Sequence, residues 1–253
     1  MNATAPIASV AVHTTAQWLA DEIAEIVQGD LRAVIVHGSV ATGDFLPGRS
    51  DIDLLTVIDA ALPQDRAGAL ERLVRGADLG DAAGIDLHVV TAAVAAAPQR
   101  TPPVELHVGR YPSGVEVTHR VAADADLPVE LAMARDGGRA LHGPPPHDVI
   151  GEIPAAWVRD RGRHWLTTWQ GLTDDDEHAA HMVLTACRIW RFAAEGRHCG
   201  KVDAAIWAAA CDPSLVAIGV ALYRYTTGER EHIEPSAIGQ VLDKALHATA
   251  DTV

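Results

Sequence analysis

The segment spanning residues 34–58 constrains the fold of this chain more than any other stretch. It opens with a β-branched run at residues 34–36 and closes with a second apolar run at residues 52–58. Between these runs lie three glycines and a proline, the residues that most often interrupt regular structure. The pattern predicts a strand, a tight turn, a short helix or loop, and a second strand.

Two aspartates open the second predicted strand. Asp51 and Asp53 are two residues apart, and side chains two apart on a strand leave from the same face. Two carboxylates on one face repel each other and therefore need a cation. Mg²⁺ is the expected ion because it is bound by carboxylates together with substrate phosphates. The alternative is a pair of exposed aspartates on an edge strand.

The turn after the first strand suits an anion. Gly38 lets the backbone leave the strand tightly, so the Ser39 hydroxyl and nearby free amides can face a polyphosphate. Ser50, just before the second strand, is assigned to the same nucleotide-binding group. The alternative is an ordinary turn glycine.

Gly38-Ser39, eleven intervening residues and then Asp51-Ile-Asp53-Leu-Leu resemble the signature of the nucleotidyltransferase superfamily. The resemblance implies a polymerase β type of catalytic core. It also implies nucleotide binding by Gly38 and Ser39, and metal binding by Asp51 and Asp53. Turn, spacing and apolar flanks agree here, which makes the match more specific than two spaced aspartates alone.

A third strand is predicted at residues 85–90, where apolar and polar residues alternate. Its apolar side would face the core, and Asp86 and His88 would face the other side together with Val90. The superfamily resemblance implies a third carboxylate on a neighbouring strand, and Asp86 is the only acid in a matching context. Asp86 could bind metal, or accept the proton of an attacking hydroxyl at about 3 Å. His88 is a second candidate base; the alternatives are a solvated acid and a structural histidine.

The rest of the chain divides into two regions. Helices are predicted at residues 14–28 and 63–76, and residues 101–114, rich in proline and glycine, are expected to form a loop beside the catalytic face. A helix at residues 127–141 precedes a proline-rich linker. Alanine-rich helical patterning then continues around residues 157–169, 182–192, 204–210, 215–225 and 238–246. We predict an α/β domain with a mixed sheet and flanking helices at residues 1–125, and an α-helical bundle at residues 126–253.

This layout resembles the bacterial aminoglycoside 3″-adenylyltransferases, the streptomycin and spectinomycin resistance enzymes. In that family a glutamate stands where Asp86 falls here, and a tryptophan that stacks on streptomycin stands where Tyr111 falls. Acids before the long C-terminal helix line the drug pocket, which implies substrate-binding roles for Asp174 and His178, although His178 replaces an acid. The alternatives are a partly buried loop aromatic for Tyr111, and helix-start capping or a solvated face for the acids.

Two cations near the end of that helix complete the implied site. Gly196 is predicted to end the helix, Asp203 to cap the next one, and Lys201 to lie in the loop between them. The resemblance implies that Arg188 and Lys201 contact the nucleotide phosphates. A cation there would offset charge on the leaving pyrophosphate. The alternative is a surface lysine and a helix arginine in an ion pair.

The net charge and the cysteine content indicate which partners the protein can bind and in which cellular compartment it is expected. The net charge of −14 disfavours nucleic acid and suits a cationic small molecule. Three cysteines without metal-type spacing indicate reduced thiols in the cytoplasm. No apolar run reaches the ~20 residues of a membrane span, and the first residues are not typical of a signal peptide. We expect a cytoplasmic monomer that does not bind membranes.

The predicted reaction transfers AMP from ATP to a hydroxyl of a cationic acceptor. Ser39 and nearby amides would hold the triphosphate, Asp51 and Asp53 would hold Mg²⁺, two ions being expected, and Asp86 would activate the hydroxyl. The site is predicted in the cleft between the domains, and streptomycin or spectinomycin would be the acceptor. Alternatives are adenylylation of another small-molecule or protein hydroxyl, and a nucleotide-binding or antitoxin-like module without turnover.

Overall fold

The computed structural model describes residues 5–250, with side chains from Val10 onward. The chain divides into two compact units between Ile153 and Pro154. The division falls later than the predicted boundary at residues 125/126. The residues in between stay with the first unit because a helix and a strand there pack on its sheet.

Within the described residues, one six-stranded sheet organises the first unit, with strand order β5-β4-β3-β2-β1-β6. Neighbouring strands are antiparallel except for β2 and β3, which run parallel. The sheet is therefore mixed, as predicted. Its strands are β1 (Leu31–His37), β2 (Asp51–Ile58), β3 (Gly84–Thr91), β4 (Val104–Tyr111), β5 (Gly114–Val121) and β6 (Arg139–His142).

Helices pack on this sheet and supply its connections. The core joins Leu19 and Ile23 of the first helix and Leu70 of the third to alternating residues of the strands, such as Leu54 and Leu87. The helices of this unit are α1 (Ala5–Val27), α2 (Gly38–Thr42), α3 (Gln64–Gly76), α4 (Ala92–Ala96), α5 (Leu127–Gly137) and α6 (Pro146–Val149).

Alternation along β3 places Asp86 and His88 on the face away from the core that contains Leu54 and Leu87. Ile85, Leu87 and Val89 of β3 are buried in the core, which confirms the predicted inward face of this strand. Asp86 and His88 leave from the opposite face because strand side chains alternate with a period of two. Asp86 and His88 thus share one face of the sheet, where buried apolar residues such as Leu55 and Val90 also lie.

Two predicted segments have a different structure. Residues 101–114 were expected to form a loop, but most of them belong to β4 and to the turn into β5. Prolines and glycines at both ends of this segment obscure the alternation between Val104 and Val108, whose apolar residues are buried. The single helix expected at residues 127–141 ends at Gly137, and the chain continues as β6 beside β1. The linker that follows contains the short helix α6.

Five helices of the second unit lie within the described residues, in the regions where the sequence predicts them. Their core is aliphatic and alanine-rich, with Leu166, Leu184, Ile218 and Leu242 fully or almost fully buried. The longest helix contacts each of the others. No helix in the described part of the chain combines the length and apolar character that crossing a membrane requires. The helices are α7 (Ala155–Trp169), α8 (Ala179–Glu195), α9 (Lys201–Cys211), α10 (Val216–Thr227) and α11 (Pro235–Ala250).

The connection between α8 and α9 corrects one prediction and confirms another. Gly196 ends α8 in the left-handed conformation, with φ of 71°, as expected for a helix terminator. Lys201 was predicted in the loop and Asp203 as the cap of the next helix. Instead Gly200 precedes the helix as its cap residue, and Lys201 is the first residue of α9.

Candidate active site

Strand register brings the predicted acids of the first unit together. Asp53 of β2 lies directly beside Asp86 of β3 in the parallel pair, and Asp51 lies beside Gly84. On the other side, Asp53 is paired with His37 of β1. Residues paired across neighbouring strands are about 5 Å apart and share a face. Asp51, Asp53 and Asp86 therefore form one carboxylate row, on the face opposite the core that α1 and α3 build with the sheet.

Two glycines leave room for these carboxylates. A Cβ on Gly38 would lie 2.0 Å from Oδ2 of Asp53, and Gly38 has a positive φ of 60°. A Cβ on Gly84 would lie 2.6 Å from Oδ1 of Asp51. Both positions exclude a larger residue because real Cβ contacts are never this short. Gly38 therefore provides space for Asp53 in addition to the turn predicted from the sequence.

The predicted nucleotide-binding serines lie at the two ends of the segment that joins β1 to β2. Ser39 is half-buried in the first turn of α2, where its carbonyl accepts hydrogen bonds from the amides of Gly43 and Asp44. Ser50 is buried, and its hydroxyl accepts a hydrogen bond of 3.1 Å from the Leu46 amide. This bond helps to close the turn before β2. The nucleotide-binding roles of Gly38, Ser39 and Ser50 stay predictions.

Asp86 is held by a network of side chains. His107 Nε2 and His88 Nδ1 each lie 3.1 Å from Asp86 Oδ1. Tyr111 donates its hydroxyl proton to Asp86 Oδ2 at 2.5 Å. The two imidazole rings are stacked, with centroids 4.4 Å apart. Both oxygens of the carboxylate are therefore oriented by side chains of β3 itself and of the neighbouring strand β4.

These contacts shift the pKa values of the groups that make them. Burial by itself would raise the pKa of Asp86, but the hydrogen bonds from His107 and His88 outweigh it and hold this pKa well below its ordinary value. Burial would lower the pKa of His107, but its bond to Asp86 raises it overall. Burial and the negative charge of Asp86 raise the pKa of Tyr111. Asp86 is therefore ionised at neutral pH, and Tyr111 keeps its proton.

Tyr111 is placed differently from the sequence prediction. It was expected on a loop, but it is the last residue of β4. A Cβ on Gly109 would lie 2.4 Å from the Tyr111 hydroxyl oxygen, so this glycine leaves space for the phenol ring to reach Asp86. Gly109 is itself the cross-strand partner of Asp86. The stacking role of Tyr111 stays a prediction, and its hydroxyl is engaged within the sheet.

The acids before α8 make local contacts in the second unit. His178 Nδ1 lies 2.8 Å from Asp175 Oδ2, and Asp175 Oδ1 also accepts a bond of 3.2 Å from the His178 amide. Asp176 accepts a hydrogen bond of 3.1 Å from Arg224. Asp174 and His178, the predicted substrate contacts, are exposed. Local hydrogen bonds to His178 and the ion pair with Arg224 thus account for Asp175 and Asp176, whereas the roles of Asp174 and His178 stay predictions.

The predicted phosphate contacts of the second unit, Arg188 and Lys201, each have a contact of their own within that unit. Arg188 Nε donates to the Cys199 carbonyl at 3.1 Å, and Lys201 Nζ lies 5.4 Å from the ring centroid of Tyr225. Desolvation, and then the positive charges of Lys201 and Arg188, lower the pKa of His181 to about 4. Both cations therefore act electrostatically on the same histidine.

Comparison with known proteins gives matches in both units. A family model described as a nucleotidyltransferase domain matches residues 17–100, and one described as the C-terminal domain of aminoglycoside adenylyltransferase matches residues 148–246. The chain is 30% identical over 186 residues to an aminoglycoside (3'')(9) adenylyltransferase of Klebsiella pneumoniae, a match that covers 70% of this chain and 71% of the relative. A protein of the same description from Escherichia coli is also 30% identical over 186 residues, with 70% of each chain covered.

The chain belongs to the aminoglycoside (3'')(9) adenylyltransferase family. It is accordingly an ATP-dependent adenylyltransferase, which confirms the predicted enzyme class. A solved structure, that of spectinomycin adenyltransferase AAD(9) from Enterococcus faecialis with ATP and spectinomycin, matches the fold with a TM-score of 0.74. The match covers 95% of this chain and 100% of that chain at 18% sequence identity, and it confirms the predicted fold class.

Sequence reasoning missed three residues that shape the adenylyltransferase sheet face. His107 lies in the segment that was expected to be a loop, and Gly84 and Gly109 were not singled out. The apolar-polar alternation of residues 104–108 was the signal that could have placed His107 on a strand facing the same way as Asp86. Nothing local in the sequence marks Gly84, because the Asp51 side chain beside it belongs to another strand. Gly109 is needed only because the Tyr111 ring passes over it to bond Asp86 on β3, which the sequence does not show.

Proposed function

We propose that this protein transfers AMP from ATP, with Mg²⁺, to a hydroxyl of an aminoglycoside or aminocyclitol antibiotic such as spectinomycin or streptomycin. The observation that carries the proposal is the row of Asp51, Asp53 and Asp86, held side by side by the register of β2 and β3. Family membership gives the reaction class. The carboxylate row is the part of the molecule where we propose that the reaction takes place.

The residues present fit a magnesium ion. Asp51 and Asp53 offer carboxylate oxygens, the ligands that Mg²⁺ prefers, and Gly84 and Gly38 keep the space beside each carboxylate free of a side chain. Asp51 and Asp53 would hold the ion, and Asp86 is a third ligand or the base. When bound, the ion would neutralise negative charge on the phosphates of ATP. Whether one or two ions bind stays a prediction.

Asp86 is suited to orient the acceptor hydroxyl. A carboxylate has about four sites that accept hydrogen bonds, and His88, His107 and Tyr111 use three of them. One site is left for the hydroxyl that attacks the α-phosphorus. The lowered pKa keeps Asp86 ionised and able to accept that bond. We therefore infer that Asp86 acts mainly by positioning the hydroxyl. Its low pKa makes it a weak acceptor of the hydroxyl proton.

The second unit would contribute charge and selectivity. Arg188 and Lys201 would stabilise the charge on the leaving pyrophosphate, the main means of accelerating nucleotidyl transfer. Asp174 and His178 would contact the acceptor. The net charge of −14 suits an acceptor that carries positive charge.

Spectinomycin, or another compact aminocyclitol, is the acceptor we expect to be used best. Tyr111 offers less stacking area than a tryptophan, and its hydroxyl is bonded to Asp86. His178 stands where the resemblance leads us to expect an acid that would pair with a guanidinium group of streptomycin. The solved structure of similar fold is described as a spectinomycin adenyltransferase with ATP and spectinomycin. The expected monomeric state and cytoplasmic location stay predictions.

A screen of aminoglycosides and aminocyclitols for pyrophosphate release with ATP and Mg²⁺ tests the proposal. Release that depends on spectinomycin or streptomycin, together with an AMP adduct of matching mass, is the expected result. Asp53→Asn in the same assay controls for contaminating activity. Release without an acceptor, or with no member of the panel, would show that the acceptor class is wrong.

A further inference from the structure

Three potential metal ligands meet on the sheet beside the carboxylate row. Asp86 and His88 are two residues apart on β3, and His107 is the cross-strand partner of His88 on β4. One donor atom from each residue lies within 4.8 Å of the other two. The three side chains are 24%, 12% and 19% exposed, respectively, so a hydrated ion can reach them.

The donor set favours an ion other than Mg²⁺. Mg²⁺ binds oxygen ligands almost exclusively, whereas two imidazole nitrogens and one carboxylate oxygen suit Zn²⁺ and similar transition-metal ions. A tetrahedral ion with bonds of about 2.0–2.1 Å separates its ligand atoms by roughly 3.4 Å. The nitrogen-to-oxygen distances of 3.1 Å from each histidine to Asp86 are close to that separation. A small outward movement of the rings would admit the ion.

The surrounding residues hold the three ligands in place. Cross-strand pairing and ring stacking orient His88 and His107 relative to each other. Tyr111 donates a hydrogen bond to the second oxygen of Asp86, which is the kind of outer contact that supports a metal-binding carboxylate. Gly109 provides the space for this contact. The site is therefore supported by the backbone pairing of β3 with β4.

We propose that Asp86, His88 and His107 form a binding site for Zn²⁺ or a chemically similar divalent ion, separate from the Asp51 and Asp53 pair expected to hold Mg²⁺. The site leaves a fourth position of a tetrahedral ion open. Its occupation would withdraw Asp86 from the acceptor hydroxyl, so Zn²⁺ would inhibit adenylyl transfer. That consequence rests on the proposed function, whereas the binding itself does not.

Titration of the metal-free protein with Co²⁺ tests the binding. Co²⁺ replaces Zn²⁺ in tetrahedral sites and gives strong visible absorption there, while octahedral oxygen sites absorb weakly. We expect stoichiometric development of this absorption and its loss when Zn²⁺ is added. His107→Gln should weaken binding more than about 100-fold, since loss of an outer contact alone costs about 10- to 100-fold. Tyr111→Phe, which removes only the outer contact, should weaken it less.

Matched variants show whether the cobalt absorption comes from the proposed site. His119→Gln removes an imidazole from β5 of the same sheet, outside the cluster, and should leave the absorption unchanged. Asp53→Asn should also leave it unchanged. Equal Co²⁺ binding by wild type, His107→Gln and the second ligand variant His88→Gln would overturn the proposal, as would absorption that disappears in Asp53→Asn. Circular dichroism of each variant separates loss of a ligand from loss of the fold.

An inhibition assay separates this inference from the proposed function. Zn²⁺ should inhibit the wild-type adenylyltransferase at concentrations at least about tenfold below those that inhibit a variant lacking the His107 ligand. Active enzyme without the cobalt signal would refute the metal site and leave the proposed function standing. A cobalt signal in a protein inactive with every acceptor would support the metal site and refute the proposed function.

Discussion

The sheet face of the first unit and the start of α8 in the second unit both carry acids and histidines, but they hold them differently. On the sheet, Asp53, Asp86 and His107 are placed by strand register, and each comes from a separate strand. Before α8, Asp175 and His178 are three residues apart and bond to each other locally. Backbone pairing over a whole sheet orients side chains more firmly than one exposed contact does.

Under the proposed function, the two regions would contribute to different steps of the reaction. Groups held by register are suited to the chemical step, because small displacements of reacting atoms cost large factors in rate. The exposed side chains before α8 can exchange one hydrogen-bond partner for another at little cost in free energy. Such side chains are suited to discriminating between acceptors. Substitutions on the sheet face should therefore affect all substrates, whereas those before α8 should change which acceptor is preferred.

Removal of one carboxylate from the row should have the largest effect. Asp53→Asn or Asp51→Asn should lower kcat by at least about 1,000-fold, since such groups supply several kcal/mol of transition-state stabilisation. The melting temperature should hold or rise slightly, because repulsion within the row is relieved. Pyrophosphate release at saturating Mg²⁺ and thermal melts measure the two effects. Asp81→Asn, at an exposed position outside the row, is the control; near-normal turnover in either site variant would refute the metal assignment.

A methyl group added at Gly38 should be the next most harmful change. Gly38→Ala places a Cβ 2.0 Å from Asp53 Oδ2 and should displace that carboxylate, with a loss in kcat of about 100-fold. Gly48→Ala is the matched control. Gly48 also has a positive φ, of 69°, but nothing lies within 4 Å of its Cβ position. Both variants should lose similar stability in thermal melts, and only Gly38→Ala should lose activity. Equal activity losses would show that backbone strain, not the position of Asp53, is responsible.

The preferred acceptor should change when Tyr111 and His178, the residue before α8, are both substituted. Tyr111→Trp combined with His178→Asp should shift the ratio of kcat/KM values towards streptomycin by about tenfold to a hundredfold, the worth of one charge-assisted hydrogen bond. The ratio is the relevant measurement because loss of the Tyr111 bond to Asp86 slows both reactions alike.

Tyr111→Phe is the control for the acceptor experiment. It removes the bond to Asp86 without adding stacking area, so it should lower kcat for both drugs equally. A wild type that already prefers streptomycin, or a double variant with an unchanged ratio, would contradict this view of selectivity.

The smallest predicted effect is on stability as a function of pH. The pKa of His107 is raised in the folded protein by Asp86, so its contribution to the free energy of unfolding is fully present below the unfolded value of about 6.5 and is lost as the pH rises through the folded value. In the presence of a chelator, the difference in melting temperature between wild type and His107→Gln should be larger at about pH 5.5 than at about pH 9. A difference that grows with pH would contradict the sign of this shift.

The sequence alone was sufficient for much of the architecture. Asp51 and Asp53 share a face because strand side chains alternate, and the apolar side of β3 follows from the same local rule. The helices of the second unit follow from apolar residues at helical spacing, and their ends were displaced by only a few residues. Such features depend on neighbours along the chain, which the sequence displays directly.

Only the tertiary structure showed how the acids and histidines meet. Asp86 is beside Asp53 because β2 and β3 pair in one particular register, and His107 reaches Asp86 because β4 joins β3 on its other edge. The same register sets Gly109 opposite Asp86, so the Tyr111 ring, two residues further along β4, passes over this glycine and bonds its hydroxyl to the Asp86 carboxylate. Register is decided by long-range pairing and packing summed over the whole sheet, so no short stretch of sequence contains it.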